Sequence, residues 1–463
     1  MNQEKSATTK ETSVILTEGL VTTIVDITNS STVNSAIELA IRAVLSDGTL
    51  PQYTKSDIHN LLPDNNGENW STTHHMRNSK KTVKIKLSEK LLDDLKDACS
   101  KKYPTMKTLS DKIDYCLTTM IAEYQKADLI SPLRLPGSKW YTMRPEVQSA
   151  LAGREYARTV ETCMGALGIF CAVDCADTAI LNDFDIGKYH LYRELTSNSV
   201  RLINNFLREV PSVEKYKNFK KILRKIGSFS TEKQDSGVTY SGAEIAGMYL
   251  YENYYCKSRR PKDTIPLHNK PSLGYICSLL KIGERLRGKM ESDTLRKVKL
   301  YNKDLLELIP RYNRADTLII CDPPYPYTDS YDDNLTIAQH YELGKLLKRH
   351  KGDFIYFCRL TERKNNKIFY SPRIRALLAD IFIPLEDSEK RARSFYFKDV
   401  YTADGWERII ASFNFDGATP YTVEADIQAK KKSDAEDKVR AEEKAKAKQQ
   451  NDSSAMEGGA CNE

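Results

Sequence analysis

Residues 317–331 read TLIICDPPYPYTDSY, an apolar run that stops on an acid, two prolines and a tyrosine. An aspartate at a strand end is a fixed hydrogen-bond acceptor, a tyrosine offers a flat π-face, and two prolines stiffen the chain between them. Ligands of open α/β sheets bind beyond the carboxyl ends of the strands, which is where Asp322-Pro323-Pro324-Tyr325 falls. The spacing suits a small clamp for a planar, hydrogen-bonding group.

Three further features precede it in the chain. In LPGSKW, residues 135–140, Gly137 permits a tight turn and Lys139 has the reach for an anionic group. In VETCMGALGIF, residues 160–170, Gly165 and Gly168 stand between a predicted strand and a helix, where backbone N–H groups can approach a ligand closely. Asp183, at the end of AILND, can accept hydrogen bonds from ribose hydroxyls, with Asp185 as its neighbouring rival.

The elements that must position these residues have the texture of an α/β domain. Strands are predicted in GREYARTVE, DTAILND, TLIIC and GDFIYFC, with a helix over QHYELGKLLKRH, residues 339–350, between the last two. This order favours a largely parallel sheet. RARSFYFKDV and WERIIASFNF read as a late hairpin. Residues 189–300 interrupt the rhythm with 22 Lys or Arg against 11 Asp or Glu, a surplus that suits a polyanion such as nucleic acid. Lys220, Lys221, Arg259 and Arg260 are its candidate phosphate contacts. The 10 cysteines contain no CxxC pair and no accompanying histidine cluster, so no metal site is expected and the thiols read as reduced. With neither an apolar leader nor a membrane-length run, the expected location is the cytoplasm, in association with DNA.

In order and type, these motifs resemble the Dam-like, or D12-class, N6-adenine DNA methyltransferases. The family's Gly-Gly-Lys-like loop matches Pro136-Gly137-Ser138-Lys139, its glycine motif Glu161 to Phe170, and its second acidic motif Asn182-Asp183. An Asp-Phe/Leu motif matches Asp304-Leu305, the catalytic tetrad Asp322 to Tyr325, and a His-x-x-Leu helix His340 to Leu343. The resemblance covers roughly 131–415. It implies an S-adenosylmethionine-dependent methyltransferase fold with an inserted, mainly helical DNA-recognition subdomain, double-stranded DNA as partner and S-adenosyl-L-methionine as cofactor. Gly137, Lys139, Glu161, Gly165, Gly168, Asp183, Asp304 and Asp322 would then bind the cofactor. Asp322 and the Pro323 carbonyl would hold the adenine amino group, with Tyr325 against the flipped ring. Tyr327 and Tyr331 either line that mouth or pack the loop. One position departs from the pattern: the family's Gly-x-Gly reads Gly165-Ala166-Leu167, with Leu167 at the second glycine. The other readings are methylation of another nucleic-acid amino group, and a noncatalytic DNA-binding regulator built on a degenerate enzyme domain.

The N-terminal part resembles, over about 45 residues, the ribbon-helix-helix DNA-binding proteins. In KKTVKIKLS the residues Val83, Ile85 and Leu87 alternate with Thr82, Lys84 and Lys86, and Ser88 is placed to cap the helix that follows. That resemblance implies a homodimer whose paired strands turn Thr82, Lys84 and Lys86 to DNA; an ordinary α/β support segment is the other reading. The expected layout is a flexible N-terminus (1–30), a DNA-binding or dimerisation module (31–125), a methyltransferase domain (131–188 and 296–421), the inserted recognition subdomain (189–295) and a charged tail (422–463), read as a helix that frays into disorder.

Overall fold

The computed structural model describes residues 8–47, 79–102, 106–127, 133, 139, 143–227, 239–255, 270–288, 296–327, 334–364, 367–383, 394–402 and 405–457. The fold is mixed α/β with a mostly parallel central sheet, and the chain divides into two compact units.

The first unit runs to Tyr312. It opens with strand β1 (Thr9–Thr17) and helices α1 (Glu18–Thr28) and α2 (Val33–Asp47). Strand β2 (Lys80–Ser88) and helices α3 (Glu89–Lys102) and α4 (Leu109–Lys126) follow. The expected alternation holds: Val83, Ile85 and Leu87 are buried, whereas Thr82, Lys84 and Lys86 are exposed. Ser88 Oγ accepts the Leu91 N–H at 3.2 Å, as a helix cap does. Two expectations change. Residues 9–28, read from their Thr and Ser content as flexible, form a strand and a helix. The pairing partner of β2 is β1 of the same chain, in antiparallel register from Thr9↔Ser88 to Thr17↔Lys80. Gly137, Arg259, Arg260 and Tyr331 lie outside the described residues.

After α5 (Arg144–Leu151) the α/β part of this unit begins: β3 (Tyr156–Glu161), α6 (Gly168–Ala172) and β4 (Ala176–Asn182). Among the described residues, four helices separate β4 from β5 (Lys297–Tyr301): α7 (Ile186–Arg208), α8 (Val213–Gly227), α9 (Gly242–Tyr255) and α10 (Leu273–Leu286). The basic stretch is therefore a helical insertion between two sheet strands. β3, β4 and β5 pair in parallel, and α11 (Leu305–Arg311) follows β5. The N-terminal helices share one apolar core with the insertion, running from Leu20 and Ile37 through Leu117 to Leu195, Leu250 and Leu280.

The second unit holds β6 (Thr317–Cys321), buried at all five positions, and α12 (Ile337–Arg349), which crosses over to parallel β7 (Asp353–Arg359). A short hairpin, β8 (Thr361–Lys364) and β9 (Lys367–Tyr370), leads to α13 (Pro372–Phe382). The late hairpin is present as β10 (Tyr396–Thr402) and β11 (Gly405–Ala411), with β11 antiparallel to β7 and a short β12 (Thr419–Pro420) on β10. The tail forms a helix, as its charged composition predicts, in α14 (Val423–Glu457). Its first turns are anchored: Asp426 takes the guanidinium groups of Arg375 and Arg408, and Trp406 Nε1 donates to Asp437 at 3.2 Å. Arg440 lies 3.7 Å over the Tyr401 ring. A composition rich in Lys, Glu and Ala marks solvated helix but hides the few positions that dock.

Candidate active site

The glycine loop at the end of β3 is tied to the end of β4. Met164 N–H donates to the Asn182 carbonyl at 2.7 Å, and the Asn182 amide donates to the Thr162 and Lys303 carbonyls at 2.8 and 3.0 Å. Asp183 is buried, and its carboxylate is occupied by its own chain. One oxygen accepts the Gly165 N–H at 2.9 Å; the other accepts the Asp185 N–H at 3.0 Å and Lys188 Nζ at 3.2 Å. An ionised carboxylate has about four acceptor sites, so three are used in holding the loop. Asp183 is thus a strut for Gly165, whatever ligand it also meets. Tyr192 closes the other side, its hydroxyl donating to the Gly165 carbonyl at 2.8 Å, and burial pushes this phenol well above the usual tyrosine range.

Gly165 has φ +46°, and a Cβ built there would meet nothing within 4 Å. The backbone therefore borders open space. Leu167 is also left-handed, at φ 59° and ψ 23°, and fully buried. The position where the family pattern has its second glycine is thus one whose backbone favours glycine, and Leu167 holds that shape at a cost of about 1–2 kcal/mol. Gly168 opens α6, buried. Glu161 is buried at the end of β3, and Asp304 caps α11 by accepting the Leu306 N–H at 2.8 Å. Lys139 is 3% exposed, so it is no solvated loop lysine. Asp185 caps α7 through the Gly187 N–H at 2.8 Å, and Phe184 beside it is exposed.

In the second unit, β6 ends on Asp322, which is half-buried, followed by buried Pro323, half-buried Pro324 and buried Tyr325. The Tyr325 hydroxyl donates to Glu407 Oε2 at 3.1 Å. The Arg359 guanidinium stands 5.4 Å from the ring centroid and 4.0 Å from the other Glu407 oxygen. Burial first, then the carboxylates of Asp322 and Glu407, raise the Tyr325 phenol well above its ordinary value, so it stays a donor. Glu407 is wholly buried on β11, where it faces Arg359 of β7 in the strand register. Tyr325 is therefore a pinned ring. Tyr327, at φ 58°, is exposed, with Arg373 4.1 Å over its ring; of its two expected roles, packing of the loop has this partner. His340 on α12 is 1% exposed and, among the described residues, neither ring nitrogen has a hydrogen-bond partner. Burial pushes its pKa down to about 4.

Among the remaining expected residues, Lys84, Lys86 and Lys221 are exposed, and Lys220 lies 5.6 Å over the Tyr216 ring. Lys188, Tyr192, Arg359 and Glu407 were missed. Lys188 had a signal in DFDIGK, an acid three residues before a lysine at a helix start. Glu407 had one too, a Glu-Arg pair inside an otherwise apolar strand. Neither spacing names its partner. No protein-family model matches this chain, and no curated protein is similar to it. Among the described residues there is no group of His, Cys, Asp and Glu suited to a metal ion, and no helix long and apolar enough to cross a membrane.

Proposed function

We propose that this protein is a DNA adenine-N6 methyltransferase using S-adenosyl-L-methionine. The observation that carries the reading is the end of β6: a half-buried aspartate, two prolines and a pinned tyrosine, at the carboxyl end of a fully buried strand in a parallel pair. Adenine N6 is a poor nucleophile because its lone pair is delocalised into the ring. Asp322 and the Pro323 carbonyl accept its two N–H bonds, orient the nitrogen and offset the positive charge that develops on it. Tyr325 supports the flipped base, and Glu407 is the positioning residue that sets the ring.

Support for the cofactor comes from the first unit, where Gly165 offers backbone beside open space and Phe184 an exposed ring next to the acidic strand end. S-adenosyl-L-methionine would supply an electrophilic methyl group. Gly165, Gly168, Glu161, Asp183, Asp304 and Lys139 are the candidates for holding it, with Asp183 acting through the loop it braces. The basic helical insertion supports a polyanionic partner.

The test is transfer of label from methyl-labelled cofactor to duplex DNA of mixed sequence. Label entering DNA with the native chain and not with Asp322→Ala supports the reading. A folded chain that neither binds the cofactor nor transfers label contradicts it; DNA binding retained under those conditions would favour the noncatalytic regulator.

A further inference from the structure

Two residues beyond the pinned Tyr325 stands a second ring, Tyr327, and this one faces solvent. Its Cα lies no more than about 7 Å from that of Tyr325, the reach of two residues of extended chain. Tyr327 is 40% exposed, and its φ of 58° is one that a bulky side chain adopts only under constraint. The Arg373 guanidinium lies 4.1 Å over the ring. That arginine is itself fixed by its own chain. Its Nε donates to Glu362 Oε1 at 2.8 Å and a terminal nitrogen donates to Oε2, so one edge is held as a fork. Ser371 Oγ donates to the same carboxylate. Ser371 also caps α13, accepting the Ile374 N–H at 3.3 Å, while its own N–H donates to the Leu360 carbonyl at 2.8 Å. Leu360 N–H in turn donates at 2.8 Å to the carbonyl of Trp406, the residue before Glu407. The arginine and the Tyr325–Glu407 brace are therefore both built on the end of β7 and the start of β11.

With one edge on Glu362 and one face on Tyr327, the Arg373 side chain is still 55% exposed. What remains open is the other face of a planar cation. A guanidinium plane held in this way suits a flat, unstacked π-system such as a nucleobase. Extrusion of an adenine creates that ligand, because each neighbouring base loses a stacking partner. We propose that Arg373, backed by Tyr327, stacks on a base next to the flipped adenine, so that the catalytic unit itself holds the flanking nucleotide. This rests on the reading of Asp322 as the adenine site. The surrounding charge fits a DNA strand. The β8–β9 hairpin joins the end of β7 to α13 and carries Arg363, Lys364 and Lys367, and its one acid, Glu362, is already paired with Arg373. Because β7 runs parallel to β6, that hairpin leaves the sheet at the end where Asp322 stands.

The experiment uses the full chain and a short duplex selected from a randomised pool, with affinity read by fluorescence anisotropy. An abasic nucleotide is walked through that duplex. The expected result is a position at which loss of the base weakens binding to the native chain about tenfold. Arg373→Lys keeps the charge and loses the plane. It should bind the intact duplex about tenfold more weakly with an unchanged salt slope, and should be indifferent to the abasic nucleotide at that position. Tyr327→Ala, which removes the backing ring, should reduce the same base dependence. Additive losses from Arg373→Lys and the abasic nucleotide would overturn the inference, as would native affinity in Arg373→Lys. Methyl transfer is scored separately. Asp322-dependent transfer with no base dependence at Arg373 removes the stacking role and leaves the proposed function standing. Base dependence at Arg373 without any transfer does the reverse.

Discussion

The acids at the ends of β4 and β6 are held in different ways. At β4, Asp183 is buried and braced by hydrogen bonds to Gly165, Asp185 and Lys188. At β6, Asp322 is half-buried on a proline-stiffened chain, and Tyr325, three residues on, is braced by Glu407. The first arrangement ties a buried carboxylate to three groups of its own chain; the second stiffens the backbone covalently, with two prolines directly after a half-buried acid. An acid at a strand end is therefore not one kind of residue, and chemistry is expected where proline carries the rigidity.

Replacing each acid breaks or sustains that contrast. Asp183→Ala removes the nearer of the two carboxylates on buried Lys188, Asp185 remaining at 3.6 Å, together with the acceptor of the Gly165 N–H, and should destabilise the fold by about 3 kcal/mol in chemical unfolding. Asp322→Ala should cost less stability than Asp183→Ala while reducing transfer by about 100- to 1000-fold, in line with the loss of a preorganised acceptor. Were the two stability effects alike, the contrast would fail.

His340 sharpens the comparison on the side of the second unit. Its folded pKa of about 4 lies below an ordinary value near 6.5, so the unfolded chain binds more protons between those pH values. The stability this neutral histidine allows is complete above about pH 6.5 and falls as pH drops toward 4, by about 3 kcal/mol. Urea midpoints measured across that window should show a slope that His340→Leu reduces.

Smaller effects probe the braces themselves. Tyr325→Phe removes one hydrogen bond to the buried Glu407 carboxylate, for about 2 kcal/mol of stability, and keeps the ring. Transfer should fall less than in Tyr325→Ala. At Leu167, Gly and Ala both lose the buried side chain, but only Gly relieves the left-handed backbone. Leu167→Gly should therefore be more stable than Leu167→Ala by about 1 kcal/mol, the reverse of their order in an ordinary helix.

Much of this was legible in sequence because period and punctuation are local. The alternation in KKTVKIKLS, the apolar run TLIIC and the capping residue Ser88 each specify an element within a few residues. The departure at Leu167 was visible too, though only the backbone angle showed that a glycine conformation is retained without the glycine. What could not be read were partners distant in the chain. Nothing near Asp183 states that its carboxylate meets Gly165, and nothing in DPPY names Glu407. The strand in residues 9–17 was hidden by its composition, since Thr and Ser serve a ribbon edge as readily as a loose terminus. Its pairing to β2 replaced an expected second subunit with the chain's own N-terminal segment.

The most direct measurement is nucleoside mass spectrometry of DNA incubated with S-adenosyl-L-methionine and either the native chain or Asp322→Ala. The account predicts N6-methyladenine with the native chain and none with the variant. Methylcytosine in place of methyladenine, or equal methyladenine from both proteins, would contradict the role assigned to the end of β6.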